Sequence, residues 1–348
     1  MRCLRIHIRR NNSASMVLAT ILLLLSTNCF VAGQVRGTLE HREQGSMWIA
    51  FSPDGKLLAT ADEDRTNKDY MVRLWDVDTG KESIQLRGHK WQIFTGAFSP
   101  DGKTFVTVSA DPEKKHVGIV RLWDVSMRKV RLSFELSEGR GISIAFSPDS
   151  KILATSGNAR TATLWDVNTG KELAALEGHK QVTCVAFSPH GKVIASASYD
   201  GTVMLWDVAE RKSRATLQGH ETTVKSIAFS PDGKMLASGS YDRTVVLWDL
   251  TTNKQQDKLD FSRGMGQIHC IAYSSDGKTI AVVGNSDVVR LWDLEAGKLR
   301  ADFKGEGHYG LINHVAFSPD GKTLATGGGR DKSVKLWDVP PAKKSPDK

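Results

Sequence analysis

An all-β propeller of seven four-stranded antiparallel blades is predicted by three observations in this 348-residue chain. Trp-Asp recurs at Trp75, Trp123, Trp165, Trp206, Trp248, Trp292 and Trp337, with spacings of 48, 42, 41, 42, 44 and 45 residues. A Ser-Pro-Asp-Gly turn stands at Ser52, Ser99, Ser230 and Ser318, with variants at Ser147, Ser188 and Ser274. Short alternating apolar segments run between these landmarks, and none has a helical period. A period of about 40–45 residues with this content corresponds to one blade, which buries its faces only when neighbours stack on it.

Residues Gly219 to Leu250 show the unit most clearly. Gly219-His220 leads into Val224-Lys225-Ser226-Ile227-Ala228-Phe229, an alternating strand. In Ser230-Pro231-Asp232-Gly233, proline fixes φ and glycine takes the position that needs φ above zero. Met235 to Ser238 makes a second strand, Tyr241-Asp242 a second turn, and Val245 to Leu250 a third strand carrying Trp248-Asp249. Seven units require seven outer strands, yet only Pro340 to Lys348 follow Val339, and proline cannot donate to a ladder. Val35 to His41, ahead of the first inner strand, is the spare segment. It is expected to pair as the outer strand of blade seven, closing the ring and hiding open sheet edges.

The ends differ from the body. Arg2, Arg5, Arg9 and Arg10, the apolar run Met16 to Leu25, a polar break at Ser26 to Asn28 and small residues around Gly33 make the layout of a secretory signal peptide. Residues 1–33 are read as that export signal, 34–339 as the propeller and 340–348 as a short basic tail. The destination is then periplasmic or extracellular. The competing reading is an uncleaved anchor over residues 16–32, at the lower limit of a membrane span, and only then is the membrane a partner. The chain carries 47 bases and 39 acids, a net +8. Without the four leader arginines it is +4, with both signs interspersed and no basic stripe, which excludes nucleic acid as a partner. Cys184 and Cys270 occupy the same point of the fourth and sixth repeats, a whole blade apart. Two free buried thiols are expected there instead of a disulfide.

Because Trp-Asp, Gly-His and Ser-Pro-Asp-Gly repeat in step, the chain resembles the WD-repeat family over essentially all of residues 34–339. The resemblance implies that His220, Ser238 and Asp242 join Trp248 in a buried network that locks the strands of one blade. It implies the same for His179, Ser196 and Asp200 with Trp206, for His89, Thr107 and Asp111 with Trp123, and for His308, Thr326 and Asp331 with Trp337. Serine, histidine and aspartate are also the hydrolase constellation. Four copies with serine and threonine interchanged fit a rigidifying device better than a nucleophile. The third repeat has Ala159 at the aspartate position and no Gly-His at Glu138 to Arg140. The sixth has Val282 and Ser286 instead of serine and aspartate. The first lacks Gly-His, although Thr60 and Asp64 can serve. Those three blades are expected to rely more on apolar packing.

Other motifs are weak. Gly305 to Gly310 has dinucleotide-fingerprint spacing without a βαβ unit, and Asp62 to Asp69 lacks the glycine and glutamate of a calcium loop. The ten histidines show no metal-binding spacing. No catalytic residue, metal or cofactor is assigned.

Function is sought where blades differ, because identical blades explain only the scaffold. The second-strand Ser or Thr precedes the Trp-Asp tryptophan by 10 residues at Ser238–Trp248, but by 15 at Thr60–Trp75 and 16 at Thr107–Trp123. The insertions lie in the same hairpin of blades one and two, on the face of the Gly-His loops. They carry Asp62, Glu63, Arg65, Lys68, Asp69, Glu113, Lys114, Lys115 and His116. Lys90-Trp91 lies between these blades, and Tyr199, Tyr241 and Tyr309 occupy related positions. Rim aromatics are anchors for protein partners. The expected function is a non-catalytic scaffold, a monomeric propeller whose protein or peptide partner meets Lys90, Trp91, Glu63, Arg65, Lys114, Lys115, His116 and the three tyrosines. The bland alternative is drift in a tolerant surface loop. The alternative function is an enzyme or small-ligand sensor at the central channel, where His269 and His314 stand out.

Overall fold

The computed structural model describes residues 35–40, 48–64, 69–110, 117–136, 139, 141–157, 160–303, 308–328 and 333–341, without the side chains of residues 64 and 69. The expected export signal and its anchor alternative lie outside these residues, as does most of the tail. The described chain forms seven four-stranded antiparallel sheets and contains no helix. Inner strands are Ile49–Phe51, Ile93–Phe98, Ser143–Phe146, Val182–Phe187, Val224–Phe229, Ile268–Tyr273 and His314–Phe317. In six blades the four strands follow in chain order from the inside out.

Blade seven is the exception. Its outer strand is Val35–Glu40, paired with Ser333–Asp338 in the register Val35 to Trp337, Leu39 to Val334 and Glu40 to Ser333. The expected ring closure is therefore present. Leu39 joins Ile49, Leu58 and Trp75 of blade one and Ala325 and Val334 of blade seven in one buried cluster. Burying such a leucine stabilises by about 1.5–3 kcal/mol relative to leaving it exposed.

Both repeating turns are explained by their side chains. Ser52 donates from Oγ to Asp54 Oδ1 at 2.6 Å and accepts from Leu57 N at 2.9 Å, while Asp54 also accepts from Lys56 N. The Ser52 hydroxyl, foremost, holds the Asp54 carboxyl below the usual carboxylate range. Gly55 sits at φ +72, and a methyl group there would lie 3.4 Å from Pro319 of blade seven. Each such turn abuts its neighbour's, as Gly191 does Pro148 and Gly277 does Pro231, so the turns form a belt around the face opposite the Gly-His loops. The aspartate of Trp-Asp caps the next turn. Asp76 Oδ1 accepts from Thr79 N at 2.8 Å and Thr79 Oγ1 at 2.7 Å, and Asp124, Asp166, Asp207, Asp249 and Asp293 act likewise.

Around the axis, register aligns Ala50, Ala97, Ala145, Ala186, Ala228, Ala272 and Ala316, one alanine per blade. Small side chains there let seven inner strands converge. Trp48 of blade one fills the space beside blade two, its ring 2.6 Å from where a Cβ on Gly96 would be. Its indole N–H donates to Ile93 O at 3.3 Å. Gly96 stands where the other blades carry isoleucine or valine because that volume is taken.

Candidate functional site

Two polar arrangements cover the Gly-His end of the propeller: the tryptophan networks inside the blades and the residues displayed above them. Blade five has the full network. Trp248 Nε1 donates to Ser238 Oγ at 2.8 Å, Ser238 Oγ lies 2.7 Å from His220 Nε2, and His220 Nδ1 lies 2.8 Å from Asp242 Oδ2. Burial would raise the Asp242 carboxyl, but hydrogen bonds from His220 and Thr244 hold it well below the carboxylate range. An ionised Asp242 fixes the imidazole proton on Nδ1, so Nε2 accepts from the serine. Ser238 has 0% exposure, which leaves no approach for a substrate carbonyl. The serine is a link in a chain of hydrogen bonds.

Blade four repeats this with Trp206 to Ser196 at 2.7 Å and Ser196 to His179 Nε2 at 2.8 Å, but Asp200 stands 3.8 Å from His179 Nδ1. Burial lowers the His179 pKa, with Asp200 partly opposing it. In blade seven Trp337 donates to Thr326 Oγ1 at 2.8 Å and His308 Nε2 lies 2.8 Å from the same oxygen. Asp331 and Asp111 lie outside the described residues. Sequence reasoning missed Thr202 and Thr244, two residues after Asp200 and Asp242. Each donates to that aspartate at 2.6 Å and lies 3.3 Å from the histidine Nδ1. The recurring Asp-x-Thr was the available signal.

The departing blades add to the expected apolar packing. Among the described residues blade three keeps Trp165 to Thr155, at 2.9 Å, and blade one keeps Trp75 to Thr60, at 2.8 Å. Blade one adds a buried ionic group to its apolar packing: Arg73 pairs with Asp62 at 2.5 Å and Glu82 at 3.0 Å. Blade six pairs Arg290 with Asp302 at 3.4 Å. In blade two Arg121 donates to Ser109 Oγ at 2.8 Å and lies 3.3 Å from His89 Nδ1. Arginine only donates, so His89 accepts at Nδ1 and carries its proton on Nε2, toward Thr107 at 3.3 Å. This inverts the tautomer of blade five. Burial, with Arg121 adding to it, pushes His89 down to about 3. All three arginines belong to a Val-Arg-Leu-Trp-Asp sequence, a motif visible in the chain and overlooked.

On the Gly-His face, Trp91 is 42% exposed and its ring stacks on Tyr70 at 6.2 Å with 28° between planes. Tyr70 is buried on the extended hairpin of blade one, whose strands Leu57–Asp64 and Asp69–Asp76 are eight residues each, and on its other side it pairs with His89 of the outer strand. The insertion is thus a lengthened ladder that carries the floor beneath Trp91. Lys90 is exposed beside it, and Tyr199 and Tyr309 project at 57% and 74% exposure. One expected contact needs correction. Glu63 is only 7% exposed, turned into the hairpin opposite Tyr70, because the longer ladder places it inside. Tyr241 is half-buried, packed on His269 at 5.7 Å. Arg65, Lys114, Lys115 and His116 lie outside the described residues.

The central channel holds a cavity of about 430 Å³. Cys184 and Cys270 line it as free thiols, Cys270 buried as expected and Cys184 only half-buried. Burial pushes the Cys270 thiol up to about 11. His269 Nδ1 lies 3.1 Å from Asn313 Oδ1, and burial pushes His314 down to about 4. Among the described residues no group of three or more metal-ligating side chains occurs.

Seven sheets of this register, with a tryptophan on each third strand and a Gly-His entry on several, define a Trp-Asp repeat propeller. A family model described as WD domain, G-beta repeat, matches residues 33–76, 80–112, 132–166, 170–207, 211–249, 259–293 and 297–338. The chain belongs to the WD-repeat family. It is 54% identical over 43 residues to Coronin-7 of Mus musculus, 12% of this chain and 5% of that protein. It is 35% identical over 79 residues to Periodic tryptophan protein 2 of Arabidopsis thaliana, 23% of this chain and 8% of that one. General transcriptional corepressor TUP1 of Saccharomyces cerevisiae is 43% identical over 47 residues, 14% of this chain and 6% of the corepressor. The chain thus spans less than a tenth of these relatives' own lengths.

Proposed function

We propose that the protein is a non-catalytic interaction scaffold, working outside the cytoplasm, that holds a protein or peptide partner on its Gly-His face around blades one and two. The observation that carries this is Trp91, an exposed indole braced from below by buried Tyr70. A rigid aromatic loses little side-chain freedom on binding and offers a large contact area, which is how anchor residues concentrate binding energy. Lys90 beside it and Tyr199 and Tyr309 farther round extend the same face. The family's repeat architecture and the relatives, among them a corepressor by name, support an interaction role. The setting outside the cytoplasm rests on the basic, apolar and small-residue pattern of residues 1–33.

The test is quantitative capture of partners on immobilised protein, run beside Trp91→Ala. The partner is expected to be lost or weakened by about 2 kcal/mol, roughly 30-fold in Kd, with the unfolding midpoint unchanged. Equal recovery by both proteins would remove Trp91 and its surroundings as the binding site.

A further inference from the structure

The channel opens on the Gly-His face, since every inner strand begins there. In four blades that beginning is a β-bulge, with register slips between Ile93 and Thr95, Val182 and Cys184, Val224 and Ser226, and Ile268 and Cys270. The extra residue of a bulge leaves the ladder and is re-aimed. The four extra residues are Phe94, Thr183, Lys225 and His269, and all of them line the channel cavity. His269 is oriented on both sides, by Asn313 Oδ1 at 3.1 Å and by the ring of Tyr241 at 5.7 Å. One register position deeper stands His314, whose Nδ1 is buried with no hydrogen-bond partner among the described residues.

The lining is one-sided in charge. It contains lysine, two histidines, asparagine, glutamine, serine and threonine, and among the described residues no aspartate or glutamate. Lys225 forms no ion pair among the described residues, although acidic Asp200, Glu221 and Asp242 lie on neighbouring loops, two of them committed to the networks. Apolar walls from Trp48, Phe94 and Ile142 lower the local dielectric, which strengthens the pull of Lys225 on an anion. We propose that the channel mouth receives an acidic side chain, an aspartate or glutamate of a bound peptide, whose carboxylate is held by Lys225, with the neutral His269 ring as the neighbouring wall. This rests on the reading of the Gly-His face as the binding face and gives the partner its chemistry. A lysine ammonium opposite a carboxylate forms charge-assisted hydrogen bonds, stronger than neutral ones.

The experiment is fluorescence anisotropy on the full chain with a fluorescein-labelled hexaglutamate amide. Hexaglutamine amide is the neutral control. Lys225→Glu is compared with Lys234→Glu, which makes the same charge change in an exposed turn on the opposite face. Hexaglutamate is expected to bind, with at least a tenfold loss in Lys225→Glu and less than twofold in Lys234→Glu. Lys225→Met, which keeps the length of the stem, takes its place if the reversal does not fold. No binding of hexaglutamate to the parent, or equal losses from the two reversals, would overturn the proposal. So would displacement by glutarate, or by acetyl-hexaglycine with a free C-terminus, at the concentration at which unlabelled hexaglutamate amide displaces. Those results assign the mouth to a small free carboxylate or a chain end. Failure at Lys225 leaves Trp91-dependent capture intact, and failure of that capture leaves hexaglutamate binding intact, so the two readings fall separately.

Discussion

Blades five and six stand side by side and hold their tryptophans in opposite ways. Trp248 hands its N–H to a serine, a histidine and an aspartate in turn. Trp292 pairs with Ile280, Val282 stands at the register position that Ser238 holds in blade five, and the Trp292 indole N–H is buried with no partner among the described residues. The two sheets nonetheless share one apolar interface, with Ala237, Val245, Leu247 and Leu259 of the first against Ile268, Ile271, Ile280 and Val282 of the second. Stacking of apolar faces is common to every blade, and the polar lock is added on top. In blades one, two and six an arginine on the third strand adds polar contacts, at Arg73, Arg121 and Arg290.

Exchanging the two blades' residues is the strongest way to break this contrast. Ser238→Val should destabilise by about 3–5 kcal/mol, because it strands both the Trp248 N–H and the buried edge of His220. Val282→Ser should change stability by less than about 1 kcal/mol, since a new acceptor for Trp292 offsets the lost methyl groups. Equilibrium urea unfolding measures both. Equal losses would show that the serine matters only as volume.

Blade one offers the next effect. Asp62→Asn should cost about 2–4 kcal/mol by weakening the buried pairing of Arg73, with Glu82 retaining part of the compensation. Asp62→Asn combined with Arg73→Met should recover part of that loss, because no uncompensated charge stays buried. A double variant no better than the single one would mean the pair is not the cause.

Acid separates blades two and five. His89 is held neutral down to about 3, below its ordinary 6.5, so the unfolded chain takes up that proton first. Its contribution is complete above about pH 6.5 and declines as pH falls toward 3, by about 1.4 kcal/mol per pH unit. Asp242 is depressed, so its contribution is present above the carboxylate range and is lost only as pH falls below about 4. His89→Gln should therefore flatten the stability profile between pH 6.5 and 4. A profile as steep as the parent's would contradict the burial argument.

The scaffold was legible because it repeats. Seven tryptophans and seven proline or serine turns fixed blade number, strand order and the N-terminal closure, since each serves a local turn or ladder. Single-copy adaptations were not legible. Glu63 looked like a loop charge because nothing in its neighbours announces that the hairpin continues as ladder past it. The bulges that turn Lys225 and His269 into the channel depend on how seven strands crowd around one axis, a constraint no single repeat expresses. The arginine substitutes were legible in Val-Arg-Leu-Trp-Asp, but an arginine beside a core tryptophan reads as surface until its carboxylate partners are placed.

Whichever lock a blade uses, it needs a neighbour on each side, and blades seven and one meet across Leu39 of the N-terminal strand. Replacing Val35 to Glu40 by a glycine-serine stretch of equal length, then following unfolding by tryptophan fluorescence and circular dichroism, tests this directly. The midpoint should fall by about 10 °C or more and the transition should broaden as blade seven opens. A replaced protein that melts as sharply as the parent, and at the same temperature, would mean that the circle does not depend on its N-terminal strand.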